Sequence, residues 1–319
     1  MNPTRTVSTA LVAAALATAG AAAPASARPK TPAAQAPLRD GATGVVDRGD
    51  GVAIHYEVHG GAGEPLVLLH GGLGATGMFG PVLPALAARH QVIGVDLQGH
   101  GASTLGDRRM DSDAMADDVA AVLDALGVPA ADVAGYSLGG AIAYRLAVRH
   151  PERVRRLVAV SAPTSSAGWY PDLRAQMITV SSAAAEAMKP SPMYQLYAQL
   201  QPRVGDWPRL LDAIGALIRE EYDWTADIAA LPMPILFVVG DADAVRFDHL
   251  LAVFARFGGG KRDAGWDGAG RPRAQLAVLP GTTHYDIGVS PALADAVNRF
   301  LATPAAPGAG VSTDRAGAR

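Results

Sequence analysis

The sequence contains no cysteine in its 319 residues. The protein can therefore form no disulfide, and it offers neither a thiol nucleophile nor a thiolate ligand for a metal ion. Charge is also sparse, since 18% of the residues are charged and the formal net charge is −3. No basic patch stands out, so we expect no nucleic-acid partner. Any catalytic chemistry must come from oxygen and nitrogen side chains.

The N-terminus has the composition of an export signal. Residues 1–5 form a short basic segment, residues 7–23 are rich in Ala, Val and Leu, and residues 25–27 (Ala-Ser-Ala) fit a signal-peptidase site. We expect a signal peptide over residues 1–27, a secreted or periplasmic protein, and no stable membrane insertion after cleavage. A transmembrane anchor is the alternative for the same stretch. However, the stretch contains fewer strongly apolar residues than a membrane-spanning helix needs.

Short apolar runs alternate with amphipathic helical patterns through most of the chain. Residues 52–58 alternate apolar and polar positions, as an antiparallel strand does. The other runs are nearly continuous, which is typical of parallel strands buried on both faces. They are residues 65–69, 91–95, 132–134, 157–160, 235–239 and 275–279. This order predicts an α/β fold with a doubly wound, mostly parallel sheet.

The alternation stops between residues 164 and 232. This segment has helical patterns, no convincing strand and three of the four tryptophans. We predict that it forms a helical cap over the carboxyl edge of the sheet, inserted into a core made of two segments. The predicted domain bounds are a linker at 28–41, the core at 42–163 and 233–302, the cap at 164–232, and a disordered tail at 303–319.

A G-x-S-x-G sequence at residues 135–139 lies between a predicted strand and a predicted helix. Glycines two positions before and after Ser137 leave room for the sharp turn that would expose its hydroxyl. The following helix N-terminus would offer amide groups to a developing negative charge. The pattern predicts Ser137 as a nucleophile, and a serine that caps a helix beside packing glycines is the structural alternative.

A nucleophilic serine needs an imidazole base and a carboxylate that orients the base. Of the eight histidines, His284 follows directly on the last predicted strand. For the carboxylate, Asp241 and Asp243 both lie at the end of the strand at 235–239. From the residues alone, either aspartate could orient the base.

Four segments together resemble the α/β-hydrolase superfamily, in that superfamily's order. They are His70-Gly71-Gly72 after a strand, the Asp96–Gly101 loop, the serine turn at 135–139, and the late aspartate and histidine segments. The resemblance covers nearly all of residues 50–302. It implies an eight-stranded sheet with an inserted helical cap, and it implies that His70 and the Asp96–Gly101 loop are structural.

The resemblance also assigns roles to individual residues. It implies that Ser137 is the nucleophile, His284 the base and Asp243 the acid. Some relatives place the acid after the sixth strand instead, but residues 160–163 there contain no carboxylate. The implied oxyanion hole consists of the backbone amides of Gly72 and Leu138, with Leu73 as a further participant.

From these motifs we expect a secreted serine hydrolase that cleaves carboxylic esters. No His/Asp/Glu cluster has metal-ligand spacing and no G-x-G-x-x-G follows a strand, so we expect neither a metal nor a cofactor. The aromatic and methionine residues of the cap suit a small-molecule ester with an apolar acyl or aryl group. The candidate substrate-binding residues are Trp169, Tyr170, Met193 and Tyr194. A lactone or C–C bond hydrolase, or a non-catalytic binding protein of the same fold, is the alternative.

Overall fold

The computed structural model describes residues 38–303. The predicted signal peptide, most of the predicted linker and nearly all of the predicted tail lie outside these residues. Within residues 38–303, no helix is long and apolar enough to cross a membrane.

Eight strands form a single sheet. They are β1 (Thr43–Gly49), β2 (Val52–His59), β3 (Pro65–Leu69), β4 (Gln91–Val95), β5 (Ala131–Tyr136), β6 (Val154–Val160), β7 (Ile235–Ala242) and β8 (Ala274–Thr283). Their spatial order is β1-β2-β4-β3-β5-β6-β7-β8. Strand β2 pairs antiparallel with β1 and β4, and all other neighbours are parallel. The prediction of a doubly wound, mostly parallel eight-stranded sheet is confirmed.

Ten α-helices accompany the sheet in the described part of the chain. They are α1 (Val82–Ala87), α2 (Ser112–Ala125), α3 (Leu138–Arg149), α4 (Pro171–Met177), α5 (Ala185–Met188), α6 (Pro192–Leu200), α7 (Trp207–Arg219), α8 (Thr225–Ala229), α9 (Phe247–Arg256) and α10 (Pro291–Ala302).

Helices cover both faces of the sheet, which explains the continuous apolar runs. Alternate residues of β3 show this directly. Val67 and Leu69 belong to the core on the side of α2 and α3, whereas Leu66 and Leu68 belong to the core on the side of α1 and α10. Each parallel strand must therefore be apolar at consecutive positions.

The first strand, β1, was not among the strands predicted from the sequence. It lies at the edge of the sheet, and its residues alternate between exposed and half-buried. Its sequence contains two glycines, an aspartate and an arginine. Because only one partner strand and one face contribute contacts, no continuous apolar run is required there.

Helices α4 to α8 lie between β6 and β7, where the cap was predicted, and the described residues contain no strand of the sheet in this interval. Trp207 of α7 is almost completely buried and packs against Tyr194 and Tyr197 of α6. Gln201, just after α6, donates hydrogen bonds to the carbonyls of Gly101 and Ser103, at 3.2 and 2.9 Å. These bonds attach the helical segment to a loop at the carboxyl edge of the sheet.

Candidate active site

Four side chains follow immediately on the carboxyl ends of four adjacent strands. Ser137 follows β5, Ser161 follows β6, Asp243 follows β7 and His284 follows β8. Parallel strands end at the same edge of the sheet, so these four residues come together although up to 147 positions separate them in sequence.

Ser137 occupies a one-residue turn between β5 and α3. Its φ of 52° and ψ of −114° lie in a region that non-glycine residues rarely adopt. The flanking glycines permit this turn. A Cβ on Gly135 would lie 2.1 Å from the carbonyl oxygen of Gly139, and a Cβ on Gly139 would lie 2.3 Å from that of Leu69. The strained turn at Ser137 therefore requires glycine two positions before it and two positions after it.

Replacing Gly135 with alanine is expected to destabilise the protein strongly. The added methyl group must push β5 and α3 apart, because its nearest neighbour is backbone. We expect a loss of about 3 kcal/mol or more in the free energy of unfolding, measured by urea denaturation. Gly77→Ala is the matched control, since a Cβ there meets nothing within 4 Å. Equal stability of the two variants would contradict this account of the turn.

His284 connects Ser137 to Asp243. Its Nε2 atom lies 3.1 Å from Ser137 Oγ, and its Nδ1 atom lies 3.2 Å from Asp243 Oδ1. Two further contacts fix its position. The hydroxyl of Tyr136 donates a 2.6 Å hydrogen bond to the backbone carbonyl of His284, and the Trp169 ring packs edge-on at 5.4 Å. The three residues predicted as nucleophile, base and acid thus form one hydrogen-bonded line.

Asp243 is buried and accepts several hydrogen bonds besides that of His284. Its Oδ2 atom accepts from the Ser161 hydroxyl at 2.5 Å and from the Gly240 amide at 2.9 Å, and its Oδ1 atom accepts from the Val245 amide at 3.1 Å. Burial alone would raise the pKa of Asp243, but the bonds from His284, Ser161 and Gly240 outweigh it and hold the pKa below its ordinary value. The carboxylate therefore stays ionised at neutral pH.

The two candidate aspartates differ clearly in position. Asp241 is exposed, and its carboxylate accepts a hydrogen bond from the Thr282 amide at 3.2 Å. Of these two aspartates, Asp243 is the one whose carboxylate is hydrogen-bonded to His284. The geometry therefore favours Asp243 over Asp241 as the residue that would orient the base.

Ser161 is a further residue of this site that was not predicted from the sequence. Its side chain is fully buried, its φ is 49°, and it donates to Asp243. In the sequence, residues 160–163 were notable only because they lack the carboxylate that some relatives carry there. The place of Ser161 directly after β6, beside the strand that precedes Asp243, is the signal that could have identified it.

The predicted oxyanion donors lie beside Ser137. Leu138 is the first residue of α3, so its amide has no partner within the helix. Within residues 38–303 the amides of Gly72, Leu73 and Leu138 donate to no protein acceptor. All three residues line the same cavity as Ser137 and His284. The arrangement leaves amide donors available to a ligand oxygen.

His70 and Asp96 brace the loops behind this site. The Leu97 amide donates to His70 Nε2 at 3.0 Å, and His70 Nδ1 donates to the Gly71 carbonyl at 2.7 Å. Asp96 accepts from the Thr76 amide at 2.9 Å, and its pKa is about 2 because hydrogen bonds and nearby imidazoles outweigh the opposing effect of burial. Neither residue lines the cavity, so both act as structural supports.

Buried histidines in this region make stability depend on pH. Burial lowers the pKa of His70, and it lowers that of His100 to about 3. An unfolded histidine has a pKa of about 6.5. Below that pH the unfolded chain takes up protons that the folded protein does not, so stability falls as the pH drops. His55 partly offsets this effect, because a hydrogen bond to Asp96 raises its pKa.

We expect the free energy of unfolding to fall between pH 7 and pH 5. Each buried neutral histidine contributes up to about 1.4 kcal/mol per pH unit below its unfolded pKa. In His100→Asn the loss between these pH values should be smaller by about 1–2 kcal/mol, measured by urea unfolding at both pH values. An unchanged pH dependence in this variant would show that His100 does not contribute.

A cavity of about 800 Å³ opens in front of Ser137. An aromatic wall runs from His284 along one side of it. Trp169 contacts the His284 ring, and Tyr222 stacks on Trp224 at 4.3 Å, with Arg145 5.1 Å above the Trp224 ring. The remaining apolar lining comes mainly from the cap and includes Met177, Val180, Met193, Leu196, Ile214, Leu217 and Ile218.

Two of the four predicted substrate-binding residues line the cavity. Trp169 and Met193 line the cavity, but Tyr170 and Tyr194 do not. Tyr170 is 42% exposed, and Tyr194 packs against Trp207 inside the cap with ring centroids 5.3 Å apart. Substrate contact is therefore not expected from these two tyrosines. The cavity is also lined by residues that were not predicted from the sequence, among them Tyr222, Trp224, Arg145 and Asp113.

Residues 64–201 match a family model described as the alpha/beta hydrolase fold. The chain is 48% identical over 110 residues to RutD of Azorhizobium caulinodans, which is named as a proposed carbamate hydrolase; the match covers 34% of this chain and 40% of that protein. It is 44% identical over 106 residues to a 2-hydroxymuconate semialdehyde hydrolase of Pseudomonas sp. strain CF600, which covers 32% and 38%. The chain thus spans about two fifths of these relatives.

Structural similarity extends further along the chain. The crystal structure of an esterase, RhEst1 from Rhodococcus sp. ECU1013, superposes with a TM-score of 0.58 and 26% identity. This match covers 82% of the present chain and 98% of the esterase.

Within the described residues, no group of three or more His, Asp or Glu side chains is arranged to hold a metal ion.

Proposed function

We propose that the chain belongs to the α/β-hydrolase superfamily and that it is a secreted serine hydrolase that cleaves carboxylic esters. One observation carries this proposal. The hydrogen-bonded line from Ser137 through His284 to Asp243 opens into a largely apolar cavity beside free amide donors. This arrangement supplies a nucleophile, a base, an orienting acid and an oxyanion site.

In the first half-reaction, Ser137 Oγ attacks the ester carbonyl carbon while His284 Nε2 accepts the hydroxyl proton. The amides of Gly72 and Leu138 donate to the oxyanion of the tetrahedral intermediate. Asp243 stabilises the imidazolium through Nδ1. The intermediate collapses as the bond to the alcohol oxygen breaks, and His284 donates its proton to the leaving alcohol.

In the second half-reaction, water replaces the alcohol. His284 Nε2 removes a proton from this water as the water oxygen attacks the acyl carbon of the Ser137 ester. The second tetrahedral intermediate expels Ser137 Oγ, which takes the proton back from His284. The products are the free acid and the original enzyme, so no further reactant is needed.

The cavity supports a substrate with an apolar acyl or aryl group. Its volume lies in the range of small-molecule sites, which is about 300–1,000 Å³. Trp169 and Tyr222 near the base would contact a flat or extended apolar group, and Met177 and Met193 would adapt to its shape. The esterase superposition also favours ester cleavage. The names of the carbamate and semialdehyde hydrolases belong to proteins that match only about a third of this chain.

Export is the remaining part of this proposal, and it rests on the composition of residues 1–27. Expression of the full chain in a bacterial host with export machinery should yield a processed protein outside the cytoplasm. N-terminal sequencing should then start at residue 28. An unprocessed N-terminus in the cytoplasmic fraction would contradict export.

The ester proposal is tested with a p-nitrophenyl series from acetate to laurate and the purified processed protein. We expect hydrolysis, with a chain-length optimum set by the cavity. A fluorophosphonate probe should also label Ser137, as judged by mass spectrometry. Labelling without turnover of any ester would favour a lactone or a C–C bond as substrate. Failure of both assays would favour the non-catalytic alternative.

A further inference from the structure

Six charged side chains line the same cavity as Ser137 and His284. They are the carboxylates of Asp111, Asp113, Glu220 and Glu221 and the guanidinium groups of Arg145 and Arg174. We propose that this lining makes the cavity select uncharged esters and reject esters whose acyl group carries a carboxylate. The inference rests on the proposed function, because it specifies the substrate class of the same site.

Arg145 is already bound on two sides. Its Nε and Nη2 atoms donate to the Asp113 carboxylate at 2.5 and 3.1 Å. Its guanidinium carbon lies 5.1 Å from the centroid of the Trp224 ring, within the distance of a cation–π contact. Only 14% of the side chain is exposed. A substrate carboxylate that approached Arg145 would also lie close to the Asp113 carboxylate, which repels it.

Arg174 also forms hydrogen bonds within the protein. Its Nη2 atom donates to Glu221 at 3.1 Å, and its Nη1 atom donates to the carbonyl of Ile218. Its side chain is 15% exposed. These contacts pair the guanidinium with a carbonyl in the last turn of α7 and with a carboxylate just beyond it, so a substrate carboxylate at Arg174 would have to compete with Glu221.

The two other carboxylates also have partners. Asp111 caps α2 by accepting the amides of Asp113 and Ala114 at 2.9 and 3.0 Å. Glu220 pairs with Arg109, which lies outside the cavity. Among the described residues, the lining therefore offers a substrate carboxylate no unpaired cation.

Apart from these charges, most of the cavity lining is aromatic or aliphatic. An anionic acyl chain that enters there loses its hydration and gains no opposite charge in return, which is strongly unfavourable. A methyl-terminated chain of equal length loses nothing comparable and buries apolar surface. The discrimination follows from this difference in affinity.

Two esters of equal chain length test the inference. The first is p-nitrophenyl hexanoate, and the second is mono-p-nitrophenyl adipate, which carries a carboxylate where hexanoate has a methyl group. For the wild-type protein we expect kcat/KM to be lower for the adipate ester by at least about tenfold. Similar values for the two esters would overturn the proposal.

Asp113→Asn then tests the role assigned to the Arg145 pair. Removing this carboxylate leaves the Arg145 guanidinium with an unbalanced charge in the cavity, so the adipate-to-hexanoate ratio of kcat/KM should rise at least about fivefold. Asp117→Asn is the matched control. Asp117 lies one turn further along α2, pairs with Arg149 and His150, and does not line the cavity. An equal ratio in the two variants would overturn the assignment.

Binding to Ser137→Ala separates this inference from the proposed function. Calorimetric titration of this variant with the two intact esters measures affinity without turnover. Weaker binding of the adipate ester supports the inference even if the wild-type protein hydrolyses neither ester, in which case the esterase proposal alone fails. Equal binding of the two esters overturns the inference even if the hexanoate ester is hydrolysed.

Discussion

Replacing Ser137 with alanine is expected to reduce kcat/KM for p-nitrophenyl hexanoate by at least about 10³-fold. The variant keeps His284, Asp243 and the amide donors but lacks the oxygen that forms the acyl-enzyme. Residual activity would come from binding and the oxyanion site alone. The fold should persist, because within residues 38–303 the Ser137 hydroxyl is hydrogen-bonded to His284 alone. Steady-state kinetics and a thermal unfolding curve of the same preparation measure both expectations.

Ser112→Ala is the matched control for this experiment. Ser112 lines the same cavity but makes no contact with His284. Its removal should change kcat/KM by no more than about twofold. Wild-type turnover in Ser137→Ala would exclude Ser137 as the nucleophile, and an equal loss in both variants would point to damage to the cavity rather than to the chemistry.

Asp243→Asn is expected to cost about 10²- to 10⁴-fold in kcat/KM. The asparagine side chain is neutral, so it cannot stabilise the positive charge that develops on His284. Its amide group can also donate toward Nδ1 and favour the wrong tautomer. Because the pKa of Asp243 is held below its ordinary value, the wild-type carboxylate is ionised throughout the range from pH 6 to pH 9. The defect should therefore persist at every pH in this range.

The neighbouring aspartate provides the comparison. Asp241→Asn preserves an oxygen that can accept from the Thr282 amide, and Asp241 does not contact His284. We expect near wild-type kcat/KM for this variant. If Asp241→Asn lost as much activity as Asp243→Asn, the assignment of the orienting acid to Asp243 would be wrong.

These residues differ in how far the sequence alone could identify them. Ser137 lies in a local pattern, since the glycines that permit its turn are two positions away. The buried parallel strands could also be predicted from the sequence, because burial on both faces demands continuous apolar runs. The identification of His284 and Asp243 required a predicted sheet order as well as a motif. Their contact through Nδ1 is seen only in the structure.

Other features depended on contacts that no local pattern encodes. The bond from Ser161 to Asp243 joins residues 82 positions apart, and it exists because β6 and β7 are neighbours. The Arg145–Asp113 pair joins two helices whose polar residues look like ordinary solvent-facing positions. Aromatic composition indicated an apolar pocket but not the direction of each ring, which is why Tyr194 was selected and Trp224 was not.

The insertion of α4 to α8 between β6 and β7 has a consequence for how this protein can diversify. Nearly half of the cavity-lining residues come from this single continuous stretch, whereas Ser137, Ser161, Asp243 and His284 all lie outside it. Substitutions confined to the stretch can remodel what the cavity accepts while the reacting groups keep their scaffold. New substrate ranges are therefore most readily obtained by exchanging whole caps between relatives or by directed evolution limited to this segment.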